Sequence, residues 1–134
     1  MPDDLTMCSV TPPAELTLPV DQRAPGVARK FLRDTSCQTH HARVMDEAEL
    51  LVSELVTNAV VHGAPPITVN VECDGGEGLR VAVTDGSDHT PVPREADPDD
   101  ESGRGIYLVD VISDRWGVAP SRGHGKAVWF TLTS

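Results

Sequence analysis

The clearest alternation in the chain is ITVNVEC, where Ile67, Val69, Val71 and Cys73 fall on one side of an extended segment and Thr68, Asn70 and Glu72 on the other. A period of two is that of a half-buried strand. The turn DGGEG follows, and LRVAVTD over 79–85 returns with Leu79, Val81 and Val83 on one face. Together they predict an antiparallel hairpin with one apolar face turned toward helices. AELTLPV over 14–20 alternates well enough to be a first strand, and RWGVAP and KAVWFTLT supply two final strands joined by the turn SRGHG.

Two other segments repeat at helical spacing. Asp21 is placed to cap a helix running to about Thr35, with Val27, Ala28, Phe31 and Leu32 as its buried face. Residues 43–62 form a longer helix that Gly63 stops, and Pro65 and Pro66 prevent its continuation. Residues 34–41 are a polar connection. Residues 1–13, with three prolines and two aspartates, read as a flexible leader, leaving 14–134 as a single domain.

Residues 86–102 are rich in Pro, Asp and Gly, and an unstructured stretch of that length marks a lid. It begins just after Asp85 and finishes at Gly103, Arg104 and Gly105, from which a helix with Ile106, Leu108, Val109 and Ile112 departs. Such a glycine-rich helix start is a natural anion site, because unpaired N–H groups and the helix dipole both point at the loop.

Composition narrows the function classes. A formal net charge of -10 excludes a phosphate-tracking nucleic-acid surface and adhesion to anionic membranes. The longest apolar run, 48–61, is too short for a membrane span and carries Glu49 and Glu54, while Asp3 and Asp4 replace the basic start of a signal peptide. A cytoplasmic protein is expected. Cys8, Cys37 and Cys73 lack CxxC spacing and read as free thiols, and the adjacent His40 and His41 cannot share a helical face, which favours a solvated turn over a metal site. With 39% hydrophobic residues and 4% aromatic, the core must be aliphatic.

The sharpest chemistry lies in SELVTNAVVHG, where Glu54, Asn58 and His62 are each four residues after the last and so project from one side of a helix. Leu50, Leu51, Val52, Leu55, Val56, Ala59, Val60 and Val61 surround that helix. A carboxylate in such surroundings needs a partner or a proton. Glu54 and Asn58 are therefore either a structurally paired couple or part of a site. Asp85 is either a turn-forming strand end or a ligand reader. An acid and an amide on a helix, an aspartate at a strand end, a lid and a glycine-rich helix start would together assemble a magnesium ligand, a base reader and a phosphate cradle.

At ELVTNAVVHG, VTDGSDHTPVPREADPDDESGRGIYLVDVISDRWG and GKAVWFTLT the sequence resembles the GHKL (histidine kinase-like) ATPase superfamily. Within it, the pattern looks most like the anti-sigma-factor kinases and ATP-binding regulators of actinomycetes. The resemblance implies an α+β fold: a two-layer sandwich with a mixed, mostly antiparallel sheet and helices on one face, the Bergerat ATP-binding fold. It implies ATP and Mg²⁺ as cofactors. Asn58 falls where the family's asparagine holds Mg²⁺, and Glu54 where its glutamate acts as general base. Asp85 matches the aspartate that accepts from the adenine amino group, followed at once by Gly86. Gly103 and Gly105 match the phosphate cradle; Arg104 either reaches the phosphates or faces solvent, and His62 either lines the phosphate side or holds the helix end. Two departures stand out: no second glycine follows Gly86 in DGSDHTP, and Lys126 and Ala127 follow Gly125 where the family often has a threonine.

The implied function is an ATP-binding regulator, a serine/threonine kinase that phosphorylates an anti-sigma-factor antagonist and, when free, holds a sigma factor. The alternative is a non-catalytic module that sequesters its partner with weak or no nucleotide turnover. A homodimer through the first strand or first helix is a further expectation of the resemblance.

Overall fold

The computed structural model describes residues 14–35, 44–73, 78–87, 101–120 and 125–133, with the side chains of Cys73 and of residues 101–105 outside that description. Among the described residues the order is β1 (Ala14–Leu18), α1 (Ala24–Thr35), α2 (Met45–His62), β2 (Ile67–Cys73), β3 (Gly78–Asp85), α3 (Glu101–Ile112), β4 (Arg115–Pro120) and β5 (Lys126–Thr133). The expected leader over 1–13, the hairpin turn at 74–77, lid residues 88–100, the turn at 121–124, and Cys8, Cys37, His40 and His41 lie outside the described residues.

The strands form one five-stranded sheet in the order β1-β2-β3-β5-β4, and every pairing is antiparallel. Register aligns the apolar phases across the sheet: Leu16 opposes Val69, Val69 opposes Val83, Val83 opposes Val128, and Val128 opposes Val118. A second row runs from Val71 through Val81 and Phe130 to Trp116. A one-residue slip would turn every one of these side chains to the other face, so burial itself fixes the register.

One core joins the inward strand residues Ile67, Val69, Val71, Leu79, Val81, Val83, Val128, Phe130 and Leu132 to the helices. The buried stripe of α2 is Ala48, Leu51, Val52, Leu55, Val56 and Ala59, an apolar band at helical spacing laid on the sheet. This is the expected two-layer sandwich. Phe130 is fully buried, and Val, Leu and Ile fill most of the remaining volume.

The ends of elements follow local chemistry. The carboxylate of Asp21 accepts the backbone N–H of Arg23 at 2.8 Å and its guanidinium at 2.9 Å, organising the turn ahead of α1, and Pro25 occupies the first turn, where its missing N–H costs nothing. The Arg23 side-chain hydrogen bond, followed by its backbone N–H, holds the Asp21 carboxyl below its ordinary value. Asp46 and Glu47 in the first turn of α2 complement the positive end of its dipole. Helices α1 and α2 are tied by Arg29 donating to Ser53 Oγ at 2.9 Å and by the Arg33–Glu49 ion pair at 2.8 Å.

Some boundaries and faces differ from expectation. The first strand ends at Leu18 rather than at residue 20, because Pro19 cannot donate to a ladder. Val27 is 37% exposed instead of buried, while Ala24, Ala28 and Leu32 form the inner stripe of α1 and Phe31 packs, partly buried, against the core. Helix α2 begins at Met45, with Val44 as its N-cap, rather than at residue 43. Helix α3 begins at Glu101, so Gly103, Arg104 and Gly105 belong to its first turns instead of preceding it. No helix among the described residues is long and apolar enough to cross a membrane.

Candidate functional site

The row Glu54, Asn58 and His62 lies along α2 away from its sheet-facing stripe. Glu54 and Asn58 are half-buried and His62 is exposed in the last turn. The apolar residues expected to cover much of this helix do not all turn inward, a correction to that expectation: Leu50 is 41% and Val61 59% exposed. Covering the sheet needs only one band of the helix, so the apolar residues outside that band sit at the rim. Glu54 and Asn58 each have an interaction within the fold, and both are accessible enough to meet a ligand from the solvent side.

Asp85 is the last residue of β3 and is in phase with Val81 and Val83, which carries its carboxylate to the helix side of the sheet. It is 5% exposed. Beyond Asp85 the chain turns under the end of α2: the Gly86 N–H donates to the Ala64 carbonyl at 2.6 Å. The Gly63 N–H donates to the Ala59 carbonyl at 2.9 Å, closing the helix in an extended rather than left-handed conformation. A Cβ on Gly63 would lie 2.7 Å from the Asp85 carboxyl carbon. Glycine is thus required there by close approach, and the carboxylate packs directly against the C-terminal end of α2. Asn58 lies about 7 Å back along that helix axis at 1.5 Å per residue. The same helix thus carries the acid–amide pair and, at its C-terminal end, packs against the buried carboxylate.

The buried carboxylate has a partner that the sequence reading did not assign. Lys126, opposite Asp85 in the β3–β5 register, places its ammonium 3.2 Å from Oδ1 and 3.1 Å from Oδ2. The Ser87 backbone N–H donates to Oδ1 at 2.7 Å. Lys126 is itself only 9% exposed. Gly125, at a φ of 89°, brings β5 so close that a Cβ would overlap the Asp85 carbonyl oxygen and lie 2.8 Å from the Gly86 Cα. The signal was present in the chain: Lys126 is in phase with Val128, Phe130 and Leu132, so a charge on the core side of β5 called for an opposite charge beside it.

Gly103 and Gly105 lie in the opening turns of α3, whose Ile106 and Val109 are buried in the core. The Arg104 side chain lies outside the described residues. Among the described residues, no group of three or more His, Cys, Asp or Glu side chains could hold a metal ion.

The fold belongs to a known class. A family model for the histidine kinase-like ATPase domain matches residues 18–132, and the chain belongs to that family, whose membership implies ATP binding. Among individual proteins, it is 37% identical over 81 residues to the uncharacterized protein SCO4941 of Streptomyces coelicolor, covering 58% of this chain and 76% of that protein. The crystal structure of the RsbU and RsbW domains of Rv1364c from Mycobacterium tuberculosis shares the fold at a TM-score of 0.65 and 22% identity, over 92% of this chain. The chain spans 32% of that larger protein chain.

The residues present fit a nucleotide with Mg²⁺. The amide oxygen of Asn58, on the half-buried helix face, is a hard donor of the kind Mg²⁺ takes, and Glu54 beside it is not needed on the metal and can act as a base. A carboxylate offers about four acceptor positions, and the Ser87 N–H and the Lys126 ammonium take three of those on Asp85.

Proposed function

We propose that this chain is an ATP-dependent regulator that transfers the γ-phosphoryl group to a serine or threonine of a protein partner, an anti-sigma-factor antagonist, and that its free form holds a sigma factor. The observation that carries this reading is the placement of Glu54 and Asn58 one helical turn apart on the half-buried face of α2, the helix whose end abuts Asp85. Family membership supports the ATP half of it; the RsbW-like fold suggests the partner class.

In this reading Asn58 would hold Mg²⁺, which supplies charge neutralisation at the phosphates. The first turns of α3, which hold Gly103 and Gly105, would lie on the phosphate side. Asp85, with Gly86 behind it, would take the base. Glu54 accepts the hydroxyl proton as the new O–P bond forms and the bond to the leaving ADP oxygen breaks. Positioning and electrostatics do most of this work, so one carboxylate, one amide and backbone donors suffice. His62 and Arg104 are assigned to the phosphate side. A cytoplasmic location goes with this reading.

One specific observation favours the second reading, a partner-sequestering module with weak or no turnover: the Asp85 carboxylate already faces an internal ammonium. Labelled-phosphate transfer from ATP to a purified anti-sigma-factor antagonist separates the two. The kinase reading expects transfer that Glu54→Gln abolishes while nucleotide binding persists. Partner binding by the wild type without any transfer refutes it in favour of the module.

A further inference from the structure

The nucleotide-site reading sends the base to Asp85, yet that carboxylate is closed off in the fold. The Lys126 ammonium lies 3.2 Å from Oδ1 and 3.1 Å from Oδ2, so one cation spans both oxygens. The Ser87 N–H meets Oδ1 again at 2.7 Å. On the helix side, a Cβ added to Gly63 would come within 2.8 Å of Oδ2. A base therefore cannot reach the carboxylate while this pair is shut, whereas Glu54 and Asn58 on α2 are only half-buried.

Of the groups that close over Asp85, Lys126 is the one able to leave. Ser87 N–H and Gly63 are main chain, but the ammonium rides on a flexible four-carbon stem. Lys126 is the first residue of β5, and its side chain is 11% exposed against 5% for Asp85. Rotation about the bonds of that stem carries the charge to water without moving the strand. A buried carboxylate left alone is costly, so the ammonium departs only when another donor takes its place. The amino group of adenine is such a donor. It is neutral, and a neutral N–H replaces a charged one at a loss, so the exchange opposes binding.

We infer that Lys126 gates the nucleotide site, holding Asp85 in a closed pair that the adenine base must displace in order to bind. This rests on the nucleotide-site reading above. The closed pair is the state of the free chain, and an open state populated at about 10% or less lowers the apparent affinity about tenfold or more. The gate also separates the two halves of the ligand. A triphosphate with Mg²⁺ meets Asn58 without touching the pair, and the base alone opens it.

Nuclear magnetic resonance of the full chain labelled with ¹⁵N-lysine reads the gate directly, because the lysines of this chain are Lys30 and Lys126. The Lys30 side chain is 70% exposed and exchanges its ammonium protons rapidly with water, so a slowly exchanging ammonium signal belongs to Lys126. That signal is expected in the nucleotide-free protein, is lost on saturation with ATP and Mg²⁺, and is unchanged by tripolyphosphate and Mg²⁺. Calorimetric titration of Lys126→Thr, whose short hydroxyl side chain clears the ammonium and keeps a donor for Asp85, is expected to show ATP bound about tenfold or more tighter than by the wild type, with tripolyphosphate unchanged. Binding of ATP by the variant alone upholds the gate. A Lys126 signal that persists at saturating ATP, a signal lost equally to tripolyphosphate, or no tightening in Lys126→Thr overturns it and leaves the nucleotide site standing. Absence of ATP binding by both proteins overturns the site reading and the inference with it. Should Lys126→Thr fail to fold by circular dichroism, the ammonium signal of the wild type decides alone.

Discussion

Replacing Lys126 by methionine keeps most of the aliphatic stem and deletes the charge. The ammonium lies 3.1 to 3.2 Å from both Asp85 oxygens, and the two residues are 9% and 5% exposed. At an effective dielectric of about 20, unit charges at that separation attract by about 5 kcal/mol. Desolvation offsets much of this in the intact pair. It does not help the variant, in which Asp85 stays buried with the Ser87 N–H and no counter-charge. Lys126→Met should therefore cost about 3–5 kcal/mol, the range for breaking one side of a buried pair, against a whole-domain stability of about 5–15 kcal/mol. Urea unfolding followed by circular dichroism measures it. The double variant Asp85→Asn/Lys126→Met removes both charges and keeps an acceptor for Ser87, so it should regain most of the loss. A Lys126→Met cost under about 1 kcal/mol, or simple additivity of Lys126→Met and Asp85→Asn in the double-mutant cycle, would refute the account of this pair.

Gly125→Ala should cost about 2–4 kcal/mol, because the new methyl meets the Asp85 carbonyl at a φ of 89°; chemical denaturation reads it, and a neutral result would deny the close approach of β5 to Asp85. Phe130→Ala, on β5 and fully buried, should cost about 3–5 kcal/mol in the same assay. Asn58→Ala should weaken Mg²⁺-dependent nucleotide binding about tenfold or more, measured by titration with and without Mg²⁺. Asp21 has its carboxyl held low in the folded state by Arg23, so its contribution is present above the unfolded carboxyl value and lost as pH falls through the folded one. Asp21→Asn should therefore be less stable than wild type near neutrality, with the difference vanishing in acid; a gap that widens in acid would contradict the sign.

The alternation in ITVNVEC and LRVAVTD was enough to place β2 and β3, and the final strands match their expected limits at Arg115–Pro120 and Lys126–Thr133. A period of two survives in any single strand because one face must be dry. The helical row of Glu54, Asn58 and His62 was equally legible, because spacing along a helix fixes which side chains share a side. Its burial was not. Leu50 and Val61 look like core in the chain, and only the width of the sheet beneath α2 decides that they lie at the rim. The start of α3 was misplaced for a related reason: glycine weakens a helix locally, yet Ile106 and Val109 anchor this one in the core, and the turn forms through Gly103 and Gly105.

The chain by itself determined the elements, their apolar faces and the chemistry available on each, since these depend on residues within a few positions of one another. The pairing of Asp85 with Lys126 joins residues 41 positions apart. It exists because β3 and β5 are neighbours in register, Gly63 lets the carboxylate sit against α2, and Gly125 lets β5 close over it. The tertiary structure decided that meeting, because only packing sets which distant strands adjoin and which charges must then neutralise each other away from water.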